Sequence, residues 1–396
     1  MWGKNTRRNI TVFSALLLVF GLLLTLIGTT LLIKEQPNAG DYPVYVGIDV
    51  AYGDEAAVYK LVDAVQGSIN LIVLGSLNLT TDTTKLTRVC NYLYEKNINF
   101  IIFVAYQNES QPGYPPQGPD PGFFQMAVEQ WGNKFLGAYV FDEAGGKQMD
   151  LSHEPVPEAA NFSGAAQEFV NTLDNALTEV TDYYGTPNLK LFTSDYALYW
   201  FDYVGGYDTV FGEFAGNHSR QLAIALCRGA AETQNKDWGT MITWKYLQPP
   251  FLEDAGQLYD DMVLAYQNGA KYIVVFNSPA NFTASTEYGT LTPEHIKTIK
   301  KFWNYMNACP HVGKDYEKTA YVLPRDYGFG FRGPDDRIWG LWGPDALSLI
   351  IWNDANSLLK TYGTRLDTVY ETKYDNVPIQ LPYDKLIFWN GTTISK

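Results

Sequence analysis

Five carboxylates stand at the ends of short apolar runs. They are Asp49 after Val44–Ile48, Asp142 and Glu143 after Phe135–Phe141, Asp195 at the end of Leu189–Ser194, and Glu213 within Asp208–Phe214. Two carboxyl groups facing each other across a cleft suit cleavage of a glycosidic bond. One must stay protonated to give its proton to the leaving oxygen, while the other attacks the sugar carbon or activates water. Glu143 and Glu213 are the candidate pair, with Asp142 beside them and Asp195 or Asp49 as alternatives for the second role. Taken singly, each of these groups has a plainer reading as a helix cap or a partner for Lys or Arg. Side chains alternate along a strand, so only one of the adjacent Asp142 and Glu143 is expected to face a shared cleft. A metal-assisted hydrolase built on Asp49, Asp142 and Asp195 is a further possibility and needs those three to converge.

Polar and aromatic residues at neighbouring positions extend the candidate site. Tyr106, Lys245 and Asn277 follow other apolar runs, and Trp200, Trp244, Trp339 and Trp342 offer flat faces on which sugar rings can stack. Aromatic residues make up 15% of the chain, with 28 Tyr and 10 Trp. Buried packing is the plainer fate of any one of them. A formal net charge of −14 argues against broad nucleic-acid binding, which needs a basic footprint. His153, His218, His295 and His311 show no ligand spacing, and Cys90, Cys227 and Cys309 are too scattered for a zinc site or a disulfide framework. No metal or other cofactor is expected.

The elements that must position these residues alternate regularly. Apolar runs at 44–50, 69–74, 99–106, 134–141, 189–195, 208–214, 238–244 and 272–276 read as strands, and helical spacing falls between most of them, as at Val58, Leu61, Val62 and Val65. Helices are expected at 81–96, 123–131, 161–184, 219–234, 254–267 and 293–306, the last opened by Pro293. The Tyr199–Tyr203 stretch reads as an aromatic turn. The fold class expected is α/β, an eightfold strand–helix TIM barrel over residues 43–309, with side chains at the strand C-termini converging on one face. A doubly wound open sheet is the alternative. It calls for a Gly-rich phosphate loop after the first strand, and Asp49–Glu55 is not one. Residues 310–396 read as a small α/β appendage, with strands near 320–323, 366–370 and 385–389 and a helix at 345–362. Its aromatic, Gly-rich loop at 327–342 is a candidate lid.

Residues 10–33 are apolar and free of charge, long enough to cross a hydrocarbon core of roughly 30 Å as a helix. Lys4, Arg7 and Arg8 precede them, so residues 1–9 are expected in the cytoplasm and the body outside a membrane, joined by a stalk at 34–42. An uncleaved anchor is favoured over a signal peptide, because no small-x-small cleavage site follows. Six N-x-S/T sequons, at Asn78, Asn108, Asn161, Asn217, Asn281 and Asn390, offer glycosylation sites that fit an external body.

With a carboxylate at the fourth strand end, another on a later strand and an α/β appendage behind the barrel, the layout resembles extracellular TIM-barrel glycoside hydrolases. The appendage resembles the glutamine-amidotransferase-like domain that follows the barrel in some β-galactosidase-type enzymes. The resemblance implies hydrolysis of polysaccharide or surface glycan by carboxylate chemistry. Two positions depart from the family: Asp142, not Asn, precedes Glu143, and the seventh strand ends Thr243-Trp244-Lys245 with no Glu. These departures admit a different pair that uses Glu213, or a barrel that binds glycan without cleaving it.

Overall fold

The computed structural model describes residues 44–106, 115–150, 155–278, 286–309, 318–372 and 383–395. The anchor, tail and stalk expected at 1–42, and the sequons at Asn108 and Asn281, lie outside the described residues. Among the described residues no helix is long and apolar enough to cross a membrane.

Eight parallel strands close into a barrel: β1 Tyr45–Val50, β2 Leu71–Leu74, β3 Asn99–Val104, β4 Phe135–Val140, β5 Leu191–Asp195, β6 Thr209–Phe214, β7 Asp237–Ile242 and β8 Tyr272–Asn277. The ring is completed where β8 pairs with β1, with Asp49 opposite Phe276 and Val50 opposite Asn277. Alternation along each strand sends one set of side chains inward. Leu71, Val73, Ile101, Tyr139, Phe192, Phe211, Met241, Tyr272 and Val274 form the interior cluster, so the barrel is filled and not a pore. The intervening Ile72, Leu74, Ile102 and Val275 are buried as well. They point the other way, where helices cover the sheet.

Between the strands lie α1 Glu55–Val65, α2 Leu77–Thr80, α3 Thr83–Glu95, α4 Phe123–Trp131, α5 Ala144–Met149, α6 Phe162–Tyr184, α7 Tyr199–Val204, α8 Arg220–Thr233 and α9 Ala255–Gln267; α10 Pro293–Ala308 follows β8. Their starts follow the sequence closely, because short polar side chains satisfy the free N–H groups of the first turn. Asp54, Asp82, Asn161, Ser219, Asp254 and Thr292 each accept from a backbone N–H as an N-cap. Asn161 is therefore the cap of α6, and it is exposed like Asn78, Asn217 and Asn390. One expectation changes here. Tyr199–Val204 is a helical turn and not an aromatic turn; the Gly145-Gly146 pair lies inside α5.

The appendage carries β9 Thr319–Leu323, α11 Ala346–Tyr362, β10 Leu366–Tyr370, β11 Lys385–Phe388 and a further strand, β12 Thr393–Ser395. Its sheet runs β10-β9-β11-β12, parallel except for the β11–β12 hairpin. Barrel and appendage form one compact unit. The junction is α8 against β10. Arg228 on α8 sends Nε to Asp367 Oδ1 at 2.7 Å and Nη2 to the carbonyls of Thr364 and Leu366. Tyr383 donates to the other Asp367 oxygen. The next residue, Gly229, has to be glycine, since a Cβ there would stand 2.5 Å from the Thr368 carbonyl oxygen. Cys90, Cys227 and Cys309 are free thiols.

Candidate active site

A cavity of about 400 Å³ opens at the C-terminal ends of the barrel strands. Every strand or the loop after it contributes: Asp49 from β1, Val73 and Gly75 from β2, Phe103 and Ala105 from β3, Tyr139, Asp142 and Glu143 from β4. Ser194 comes from β5, Glu213 from β6, Met241, Thr243 and Trp244 from β7, and Phe276 from β8. Such convergence on one face is what the barrel topology produces.

Both Asp142 and Glu143 line this cavity, against the expectation that only one of them could. The reason is in the backbone. Strand β4 ends at Val140, and Phe141 (φ +48°) and Glu143 (φ +56°) adopt left-handed conformations on either side of Asp142. The two-residue alternation stops there. Left-handed geometry costs a non-glycine residue on the order of 1 kcal/mol, and surrounding hydrogen bonds hold it in place. The Phe141 carbonyl accepts from Thr193 Oγ1 at 3.1 Å and the Asp142 carbonyl from Lys147 Nζ at 2.6 Å, while Glu143 N–H donates to the Ser194 carbonyl at 3.0 Å.

Glu143 and Glu213 both line this cavity, and each bears on the other's proton. Two neighbouring carboxyl groups in a buried site favour holding a proton, because like charges there resist double ionisation. Burial, then the charges of Asp142 and Asp195, push Glu143 up to about 7, against the pull of Lys147. Glu213 is only 5% exposed. Burial first, then Glu143 and Asp142, raise it well above the ordinary range. Ser194 Oγ donates to Glu213 Oε1 at 2.6 Å, and the Tyr139 hydroxyl donates to Asp142 Oδ1 and lies 2.8 Å from Ser194 Oγ. A hydroxyl–carboxyl chain therefore runs Asp142–Tyr139–Ser194–Glu213. Tyr139 and Ser194 are absent from the sequence reading. Tyr139 sits in an apolar run and looks like core, and Ser194 is overshadowed by Asp195. The alternation of β5 carries the signal: if Asp195 faces outward, Ser194 faces the cavity.

Asp195 does face outward. It is fully buried behind the cavity and accepts four backbone N–H groups: Gly145 at 2.5 Å, Gly146 and Tyr196 at 2.7 Å and Ala197 at 3.0 Å. Two of these are the free amides at the start of α5, so Asp195 serves as a cap that fixes the helix following Glu143. Close approach explains the glycine pair. A Cβ on Gly145 would lie 2.4 Å from the Ala197 carbonyl oxygen, and one on Gly146 2.1 Å from the Tyr196 ring. The buried Asp202 carboxyl meets no hydrogen-bond donor, and burial followed by the charge of Asp195 raises it well above the ordinary range. Among the described residues no three such groups are placed to hold a metal ion, and Asp195 does not meet Asp49 and Asp142 in the cavity.

The remaining sequence candidates divide. Asp49 and Trp244 line the cavity; Tyr106, Trp200, Lys245, Asn277, Trp339 and Trp342 do not. The Tyr106 hydroxyl binds Glu179, and Lys245 N–H donates to the Phe251 carbonyl. Asn277 is buried and braces the β8–α10 loop through Tyr288, Thr290 and Leu291. Trp200 packs on Tyr370, Trp339 on Phe169 and Phe201, and Trp342 on Phe162. These rings belong to the barrel–appendage seam. The loop expected to be a lid is a brace, and none of residues 327–342 lines the cavity. Arg332 binds Asp150 and Asp336 and the Met149 carbonyl, and Gln148 Nε2 donates to the Trp339 carbonyl at 2.8 Å. The loop thus clamps the far end of α5.

No protein-family model matches the chain, and no curated protein does. Solved structures do. The chain is similar to the β-galactosidase of the psychrophilic Marinomonas ef1, with TM-score 0.53, 10% identity, 87% of this chain and 72% of that chain covered. It is similar to the β-galactosidase of the Antarctic haloarchaeon Halorubrum lacusprofundi, with TM-score 0.54, 8% identity and coverage of 87% and 69%. A third similar structure is a GH5_18 variant from Bifidobacterium longum subsp. longum in complex with Manβ1-4GlcNAc, with TM-score 0.52, 9% identity and coverage of 89% and 97%. At these identities the likeness is one of fold: the chain has the TIM-barrel architecture found in glycoside hydrolases.

Proposed function

We propose that this protein is a glycoside hydrolase whose Glu143 and Glu213 form the acid–base pair. The observation that carries the reading is the placement of both carboxyls in one strand-end cavity, where each bears on the other's proton. One proton shared between two carboxyls supplies the acid and the base that the reaction needs together. Ser194 holds Glu213 in place by donating to it and favours its ionised form against the burial that raises its pKa, and Glu213 is assigned the role of attacking or stabilising the sugar carbon. Glu143, less buried and at the bend after β4, gives its proton to the leaving oxygen. A carboxylate that itself attacks the sugar carbon, in place of an activated water, is the arrangement of retaining enzymes. Retention of anomeric configuration follows.

Neutral polysaccharide or surface glycan is the substrate class, supported by the aromatic lining from Tyr52, Phe103, Trp244 and Phe276 and by the fold shared with sugar-cleaving enzymes. The apolar run at 10–33 supports an external, membrane-anchored body, and the parallel β9–β11 core supports the likeness of the appendage to a glutamine-amidotransferase-like domain. A panel of aryl glycosides and polysaccharides tests the activity, with proton NMR of the first-formed anomer. Hydrolysis with retention is expected. Inversion removes the assigned roles, and binding without any hydrolysis leaves a glycan-binding barrel.

A further inference from the structure

A second hollow, of about 500 Å³, lies at the opposite end of the barrel, where the strands begin. That volume is within the roughly 300–1,000 Å³ of small-molecule sites. Its walls are the C-terminal ends of α3 and α4 with the turns that lead into β3 and β4. The most buried lining residue is Trp131, 2% exposed, and its ring is fixed: Nε1 donates to Asn91 Oδ1 at 2.9 Å, an oxygen that also accepts from Gln130 Nε2. The other lining groups are unspent. Among the described residues the Tyr94 hydroxyl, the Asn97 and Asn133 amides and the Glu129 carboxylate have no hydrogen-bond partner, and Lys134 Nζ reaches one acceptor, the Asn97 carbonyl, at 3.4 Å. Tyr94 is 49% exposed and stacks on no other ring.

Taken singly, such groups on a surface are simply solvated. Together, around one hollow with a fixed aromatic base, they select a ligand. The carboxylate only accepts, the ammonium only donates and the two amides do both, so the ligand needs many groups that donate and accept in turn, as hydroxyls do. An exposed ring at the edge calls for a flat C–H face beside those hydroxyls. Glu129 and Lys134 offset each other in charge, which disfavours phosphates and polyanions. We propose that this hollow is a second, non-catalytic site for a neutral sugar chain, with one ring on Tyr94 and its hydroxyls on Asn97, Glu129, Asn133 and Lys134. It stands apart from the carboxyl cavity and does not rest on the catalytic assignment.

Calorimetric titration tests it, on the full chain carrying Glu143→Gln so that no cleavage intervenes. Cellotetraose, mannotetraose and galactotetraose are the neutral probes, and tetragalacturonate is the acidic one. At least one neutral tetrasaccharide is expected to bind. Adding Tyr94→Ala is expected to weaken that binding at least about 5-fold or, where the carboxyl cavity binds it too, to remove one of two phases. Binding in the cavity, at the far end of the barrel, is indifferent to this substitution. Asn133→Ala is expected to act in the same direction and carries the test if Tyr94→Ala fails to fold. No binding of any neutral probe, an isotherm unchanged by Tyr94→Ala, or tighter binding of tetragalacturonate than of every neutral probe overturns the inference. Tyr94-dependent binding in a parent that hydrolyses nothing defeats the catalytic reading and leaves this one standing. Hydrolysis by the parent with binding indifferent to Tyr94 does the reverse.

Discussion

Glu143 combines three unusual properties: a left-handed backbone, a place in one cavity with the Glu213 carboxyl, and a proton held up to about 7. If it is the proton donor, activity requires its protonated form. The rate is therefore expected to be sustained below about pH 7 and to fall roughly tenfold per unit above it as the proton leaves. A pH–rate profile of kcat/KM checks this, and a rate that climbs through pH 7 contradicts the assignment. The carboxylates themselves were legible in the sequence because Asp and Glu at the ends of apolar runs stand out. Their pairing was not. The entry of Glu143 into the cavity of Glu213 depends on two left-handed residues, Phe141 and Glu143, and nothing in Phe-Asp-Glu announces a positive φ as glycine would.

At the scale of elements, the site is positioned by α5, a helix of six residues that contains two glycines. Intrinsic propensity reads Gly-Gly as a breaker. The helix exists because Asp195 accepts its first amides and because Ala197 and Tyr196 leave no room for side chains at Gly145 and Gly146. Asp195→Asn puts an amide against donors on at least one side and is expected to destabilise the fold by about 2–4 kcal/mol. Asp202→Asn replaces a buried carboxyl that meets no donor and is expected to stay within about 1 kcal/mol of the parent. Urea denaturation of the two variants makes the comparison, and equal losses would contradict the capping role. The eight strands and most helices were readable from apolar spacing, and the start of α10 from Pro293, since both signals are local. The roles of Trp200, Trp339 and Trp342 were not, because they depend on how the appendage packs on α8.

At the scale of the molecule, burial of carboxyl groups links stability to pH. Glu143 is raised from 4.5 to about 7, Asp195 from 3.8 to about 7 and Glu253 from 4.5 to about 8, burial being the largest cause in each. The folded state therefore binds more protons than the unfolded chain between the two sets of values. The stability this contributes is present in full below about pH 4 and is lost as pH rises through 7 to 8. The Tm is expected to be several degrees higher at about pH 5 than at about pH 8. Thermal scans at the two values check the sign, and a Tm that rises with pH contradicts the buried, shared-proton picture. One compact unit of barrel and appendage, pinned by the buried Arg228–Asp367 pair, carries this cost together.

The central claim is that Glu143 and Glu213 act as one catalytic pair. The most direct measurement is the hydrolysis rate of the full chain and of Glu143→Gln and Glu213→Gln on whichever glycoside the parent cleaves. The two amides keep size and shape but can neither share nor transfer the proton. Each substitution alone is expected to lower kcat by about 10²–10⁴-fold, and the double variant little further, as for groups that work as a unit. If either single variant retains the parent's rate, the pair is not the catalytic machinery.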